Sequence, residues 1–155
     1  MSENGLDERP PFLHDATPSD RPRWDPLWAG YLAHYNHTLP PEMTDLTWAR
    51  VIDPSWPINM RVVEEAGRLI GFAMTVLHPS TWSAGPSCYL EDLFVAEAAR
   101  GRGIARMLID DLIEQGRAKR WSYVYWVTEE QNARARALYD SYALADGYVR
   151  YRLAL

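Results

Sequence analysis

The stretch Tyr89-Leu-Glu-Asp-Leu-Phe-Val95, followed four residues later by Arg100-Gly-Arg-Gly-Ile-Ala105, constrains this chain more than any other. It reads as an apolar strand holding two carboxylates. A glycine-rich turn comes next, and then an amphipathic helix in which Ala105, Leu108, Ile109, Leu112 and Ile113 recur at helical spacing to about Lys119. A strand that feeds a glycine turn at a helix N-terminus is suited to an anion such as phosphate. Glycine lets the backbone approach closely, the first helical N–H groups have no intrahelical partner, and the helix dipole favours negative charge there.

The flanking sequence extends this unit into a layered fold. Asp25-Pro26 reads as an N-cap followed by proline at the first helical position, and Leu27, Trp28, Tyr31, Leu32 and Tyr35 then form one aromatic-rich helix stripe. A second helix is expected from about Thr44 to Ile52. Two strand-like runs, Asn59 to Glu65 and Arg68 to His78, flank the turn Ala66-Gly67 and predict a β-hairpin. After a loop from Pro79 to Pro86 come the strand Cys88 to Val95, the glycine turn and its helix. A strand from Tyr123 to Thr128, a helix from Asn132 to about Tyr142 and a last strand from Tyr148 to Leu153 complete the pattern. The order ααββ, then βαβαβ, is that of an α/β chain with a mixed sheet and helices on its faces. Residues 1–24 hold Pro10, Pro11, Pro18 and Pro22 without periodicity and are expected to form an extended arm, leaving 25–155 as a single domain.

Charge and cysteine content narrow the partners. The formal net charge of −5 disfavours nucleic acid and suits a small cationic partner, although Arg100, Arg102 and Arg106 cluster locally. Cys88 is the single cysteine, so neither an intramolecular disulfide nor a cysteine metal cluster can form, and His14, His34 and His37 show no metal-ligand spacing. No metal is expected. The longest apolar stretch, Leu69 to Leu77, is too short to span a bilayer, and the first residues lack a signal-peptide pattern, so a cytoplasmic protein without a membrane partner is expected.

Two familiar phosphate loops do not fit. No Gly-Lys-Ser/Thr follows the glycine turn, and the third glycine and later acidic residue of a dinucleotide fingerprint are missing. Helix-entry amides flanked by three arginines suit a pyrophosphate, because a guanidinium pairs with phosphate oxygens in a fork.

The pattern Arg100-x-x-Gly103-x-Ala105 after an apolar strand resembles the acetyl-CoA signature of the GNAT superfamily of N-acetyltransferases. Asn132-x-x-Ala-Arg-x-Leu138-Tyr139 after the next strand resembles that superfamily's second motif. The resemblance covers roughly residues 26 to 153. It implies a GNAT-like fold with a mixed, mostly antiparallel sheet, and acetyl-CoA as co-substrate. It further implies that the strand at 89–95 splays from its neighbour and that the pantetheine arm lies along it. Backbone groups of Leu93, Phe94 and Val95 would meet that arm. The amides of Gly101, Arg102, Gly103, Ile104, Ala105 and Arg106, with Arg100 beside them, would meet the pyrophosphate. Asn132 would bond the cofactor, with an N-cap as the competing reading. Tyr139 would protonate the departing thiolate, with a core tyrosine as the competing reading.

Tyr-Leu-Glu-Asp-Leu-Phe-Val further resembles the polyamine and diamino-acid branch of the superfamily, which includes enzymes acting on basic proteins. The resemblance makes Glu91 the acceptor of the amine proton and Asp92 a holder of a cationic substrate. Strand alternation sends these neighbours to opposite faces unless a β-bulge intervenes. His78 and Trp82 sit where the superfamily places substrate-facing residues. Trp126 could wall an ammonium ion, with a core position as its default. The expected activity is direct acetyl transfer to the primary amine of a small cationic substrate, by a homodimer. Acetylation of a protein lysine, or an acyl-CoA-binding regulatory module with little turnover, are the rival readings.

Overall fold

The structure is a computed structural model that describes residues 9–155. Its centre is a five-stranded sheet in the order β1 (Phe12–Asp15), β2 (Ile58–Glu65), β3 (Arg68–His78), β4 (Ser87–Val95), β5 (Tyr123–Tyr125). The first three pairings are antiparallel and β4–β5 is parallel, which is the mixed, mostly antiparallel sheet expected. α1 (Arg21–His34) and α2 (Pro41–Ile52) precede β2, α3 (Ile104–Ala118) joins β4 to β5, and α4 (Ala133–Tyr139) follows β5. Among the described residues no helix is long and apolar enough to cross a membrane.

Hydrophobic burial sits on both faces of the sheet, as alternation along β2 to β4 requires. On one face Trp24, Leu27 and Trp28 of α1 and Trp48 of α2 cover Met60, Val62, Phe72, Met74 and Phe94. On the other, Ile104, Leu108, Ile109 and Leu112 of α3 cover Val63, Ile70, Ala73 and Leu90. β3 contributes to both layers and is buried from Leu69 to Thr75, in keeping with a run apolar on both sides. The Ala66-Gly67 turn takes positive φ at both residues (49° and 74°), the requirement of a tight hairpin whose twist matches its strands.

Several elements differ from expectation. Helix α1 begins at Arg21, one turn before Asp25-Pro26, because buried Trp24 draws the earlier turn onto the core. Phe12–Asp15, expected within an extended arm, pairs with Arg61–Glu64 of β2. Four residues carry too little periodicity to announce a strand, and the pairing is supplied by the sheet. β5 stops at Tyr125, and α4 stops at Tyr139. The expected last strand, Tyr148 to Leu153, is absent: these residues carry no strand pairing and are exposed. Strand composition alone does not make a strand without a neighbouring edge.

A buried acid anchors the N-terminal layer. Asp20, with 0% exposure, accepts from the Thr17 N–H (2.8 Å) and hydroxyl (2.9 Å) and pairs with Arg23, which also reaches Glu64 of β2 at 2.9 Å. Burial alone would raise the Asp20 pKa, but the Thr17 and Arg23 bonds together hold it below the ordinary range. Its stabilising contribution is therefore complete above the unfolded-state pKa and is lost as pH falls through the folded-state value. Asp20→Asn should cost about 3 kcal/mol, because it leaves Arg23 part-paired. Chemical denaturation at neutral pH checks this, and the difference between variant and parent should shrink as acid protonates Asp20.

Candidate active site

The glycine turn delivers the geometry its sequence requires. Gly101 and Gly103 adopt φ of 75° and 78°, the left-handed region that side chains disfavour, and Gly103 is the N-cap of α3. No side chain caps this helix, and its first intrahelical donor is the Met107 N–H to the Gly103 carbonyl at 2.9 Å. The amides of Ile104, Ala105 and Arg106 thus lie ahead of the helical ladder, at the positive end of a 15-residue helix. Ile104 is also a core residue. A Cβ on Gly71 would come within 3.0 Å of the Ile104 methyl and 3.2 Å of the Phe94 carbonyl oxygen, so glycine in β3 lets the start of α3 settle against the sheet.

The three arginines surround this turn but each has a protein partner. Arg100 Nε donates to the Val95 carbonyl at 3.2 Å, and its guanidinium lies over the Phe94 ring. Arg102 forks onto Glu65 at the end of β2, at 2.9 and 2.5 Å. Arg106 donates to Ser141 Oγ at 3.2 Å and covers Tyr142. These bonds hold the guanidinium groups at the rim of the turn.

Next to the turn the sheet opens. Parallel pairing joins Ser87, Cys88 and Tyr89 to Tyr123, Val124 and Tyr125, and ends there. β4 continues to Val95 with no strand on its β5 side among the described residues. Leu93 and Val95 pack their side chains toward α3, and Phe94 is buried toward α1. On the β5 side their backbone edge therefore has no strand partner among the described residues, and it runs on toward the α3 amides.

The other end holds the carboxylates, and here alternation fails. Phe72 opposes Phe94, Ala73 opposes Leu93 and Met74 opposes Asp92, but Thr75 opposes Leu90. Glu91 is the extra residue of a β-bulge. Leu90 belongs to the core layer under α3, whereas Met74 and Phe94, which flank Asp92, belong to the layer under α1. The expected separation of Glu91 and Asp92 onto opposite faces is thus overturned, because the bulge inserts a residue and re-aims its neighbours. Glu91 is exposed, and its charge contributes to raising the pKa of both Asp92 and the Tyr31 of α1 that bonds it.

Tyr31 of α1 donates its hydroxyl to Asp92 Oδ1 at 2.6 Å. Burial is the main cause that lifts Asp92 to a pKa of about 6; the Tyr31 bond opposes the lift and the Glu91 charge adds to it. Burial, followed by the Asp92 charge, moves Tyr31 far above the ordinary tyrosine value. Tyr35, one turn later, stacks edge-on against Tyr31, and its pKa is raised by burial and by Glu129 and Asp92. In the sequence Tyr31 reads as part of the core stripe. Its signal was a tyrosine hydroxyl and a buried carboxylate that each required a partner.

Tyr139, on the last turn of α4, is half-buried against the edge of Trp126, with ring centroids 5.4 Å apart. Burial, then Tyr35, raises its pKa, so the phenol stays protonated at neutral pH. Trp126 packs on the α3 core layer, its default position. Asn132 is the N-cap of α4, its Oδ1 accepting from the Ala135 N–H at 3.2 Å. His78 joins β3 to β5: its Nε2 meets the Tyr125 hydroxyl at 2.8 Å and its Nδ1 the Pro79 carbonyl at 2.9 Å. Since a carbonyl only accepts, Nδ1 donates to Pro79, and in a neutral ring Nε2 then accepts from the tyrosine hydroxyl. Trp82, in the loop before β4, is 94% exposed.

One chemistry is disfavoured by a specific group. Cys88 is fully buried and burial pushes its thiol up to about 11, so it supplies no thiolate for a covalent acyl intermediate. Among the described residues no group of three His, Cys, Asp or Glu side chains could hold a metal ion.

This arrangement agrees with three comparisons. The model of the acetyltransferase (GNAT) family matches residues 21–143. A D-amino-acid N-acetyltransferase of Saccharomyces cerevisiae, HPA3, is 34% identical over 137 residues, covering 87% of this chain and 85% of the relative. A ribosomal-protein-alanine N-acetyltransferase from Brucella melitensis shares the fold at a TM-score of 0.80, with 20% identity and coverage of 94% and 100% of the two chains. So does AAC(6')-Iy, solved with a CoA-containing bisubstrate analogue, at a TM-score of 0.78, 16% identity and coverage of 95% and 100%. Family match, curated relative and fold together place this chain in the GNAT acetyltransferase family, as an N-acetyltransferase.

Proposed function

We propose that this enzyme transfers the acetyl group of acetyl-CoA directly to the primary amine of a small cationic substrate, such as a polyamine or diamino acid, in a ternary complex. The observation that carries the reading is the edge of β4 that β5 leaves unpaired, with uncapped α3 amides at one end and Glu91, Asp92 and Tyr139 toward the other. The pantetheine amides would bond along Leu93 to Val95, the pyrophosphate would meet the amides from Gly101 to Arg106, and the free amide of Asn132 would reach the cofactor beside α4.

In the reaction the neutral amine nitrogen attacks the thioester carbonyl carbon, and the carbon–sulfur bond breaks as the amide forms. Glu91 takes the ammonium proton, directly or through water, and a backbone N–H near Leu93 polarises the carbonyl oxygen. Tyr139 donates its proton to the leaving thiolate and regains one from solvent. Holding both substrates in one cleft supplies most of the acceleration, and the buried thiol of Cys88 supports transfer without an acyl-enzyme. Asp92, with Tyr31 behind it, holds the substrate's charge, and Tyr35, His78, Trp82 and Trp126 border its path. The reading places the enzyme in the cytoplasm as a homodimer.

Measuring CoA release across polyamines, diamino acids, amino acids of both configurations and lysine peptides tests the proposal. Turnover highest with small diamines supports it. Preference for lysine peptides transfers the reading to a protein substrate, and acetyl-CoA binding without turnover for any amine overturns it. Arg100→Ala should weaken CoA binding about tenfold through lost support of the turn, with little effect on saturated turnover. Calorimetry with CoA checks this, and an unaltered affinity removes Arg100 from the pyrophosphate site.

A further inference from the structure

The bulge that re-aims Asp92 also decides what stands beside it. In a regular strand Tyr89 and Asp92, three residues apart, would face opposite sides. Here Asp92 opposes Met74 and Tyr89 opposes Val76, two residues further along β3. Glu91 takes up the extra residue, so both side chains stand on the α1 face of the sheet with Met74. Two strand steps separate them, about 7 Å.

Burial on this face ends at Met74. Val76 and Tyr89 are half-buried, and Tyr125 and Tyr123 of β5 are 37% and 53% exposed. Their rings form one floor. Tyr125 pairs with Tyr89 across the parallel ladder and the two rings stack, with centroids 5.0 Å apart. The rings of Tyr123 and His78 meet Tyr125 edge-on at 5.6 and 5.8 Å. The Tyr125 hydroxyl donates to His78 Nε2 at 2.8 Å, which ties the central ring to β3.

Such a floor beside a carboxylate suits a cation carried on a short apolar chain. A tyrosine face attracts an ammonium or guanidinium within about 6 Å of its centroid, and the same ring accepts the methylenes that lead to it. By register Val76, His78, Ser87, Tyr89, Tyr123 and Tyr125 fill this part of the face, and none of them is an acid. A cation here is held by rings and not by an ion pair. Glu91, Asp92 and the formal net charge of −5 favour that cation over a neutral tail.

We propose that Tyr89 and Tyr125 form a subsite for the second cationic group of the acceptor, and thereby select diamines whose nitrogens stand four or five carbons apart. An extended chain of that length spans the roughly 7 Å between Asp92 and Tyr89. The position of the reacting nitrogen at Glu91 and Asp92 rests on the proposed activity, whereas the ring floor does not.

Calorimetry on the full chain at pH 7.5, with saturating CoA so that no transfer occurs, tests the subsite. Diamines of two to eight carbons are titrated beside pentylamine. The parent should bind 1,5-diaminopentane about tenfold more tightly than pentylamine, with the best affinity at four or five carbons. Tyr125→Leu, which leaves the formal charge unchanged, should remove most of that preference while pentylamine binding stays within a factor of two. Tyr125→Phe keeps the ring and should retain the preference. Equal affinity of the parent for 1,5-diaminopentane and pentylamine, an optimum outside four or five carbons, or no binding of either amine would each overturn the proposal. So would a Tyr125→Leu variant that weakens both amines alike. Selective diamine binding by a chain that acetylates no amine would support the subsite and overturn the proposed activity, so the two failures are distinguishable.

Discussion

Tyr139→Phe should lower turnover about 100-fold while leaving CoA affinity within a factor of two, as expected for loss of one general acid. The substitution keeps the ring that packs edge-on against Trp126 and removes only the hydroxyl. Burial keeps that hydroxyl protonated at neutral pH, and a protonated phenol near the thiolate is the condition for donating to it. Equal losses in kcat and kcat/KM would place the effect in the transition state. An unchanged kcat would take Tyr139 out of the acid role and leave it as part of the wall formed with Trp126. Stopped assays of CoA release, with calorimetry for CoA binding, separate these outcomes.

Asp92→Asn should raise KM for the cationic amine about 10- to 100-fold and at the same time make the protein more stable at neutral pH. Both effects come from one cause. Burial raises the Asp92 pKa to about 6, so the folded protein binds a proton that the unfolded chain releases. The sign follows from linkage: between the unfolded and folded values, stability rises as pH falls, and above pH 6 the buried charge opposes folding. Asparagine still accepts the Tyr31 hydroxyl but carries no charge, and the expected gain is on the order of 2 kcal/mol at pH 7.5. In the parent enzyme kcat/KM should fall below pH 6, as the carboxylate that holds the substrate is protonated. This acidic limb should vanish in Asp92→Asn. A parent profile flat through pH 6, or a variant less stable than the parent, would show that Asp92 is a paired structural acid.

The elements legible in the sequence are those whose signal is local. Arg68–His78 reads as a buried strand because both faces are apolar, and Ala66-Gly67 reads as its turn because the backbone there needs positive φ. Gly101 and Gly103 announce the helix-entry cradle for the same reason. What was not legible depends on tertiary partners. The strand Phe12–Asp15 exists through β2, and the short β5 ends where its pairing with β4 stops. The bulge at Glu91 is set by register against Thr75 and Met74, which no pattern within β4 reveals. It matters most for function, since it converts two alternating carboxylates into neighbours and brings Asp92 under Tyr31. Tyr148 to Leu153 shows the converse: the strand pattern is present and no strand pairs with it.

The central claim is that acetyl-CoA lies along the edge of β4 that β5 leaves unpaired, with its pyrophosphate on the entry to α3. Hydrogen exchange followed by mass spectrometry, with and without acetyl-CoA, measures this directly at the backbone groups involved. Slowed exchange over Leu90–Val95 and Gly101–Arg106, with little change in β1 and α2, is the predicted result. Protection confined to other segments, or none at saturating acetyl-CoA, would contradict it.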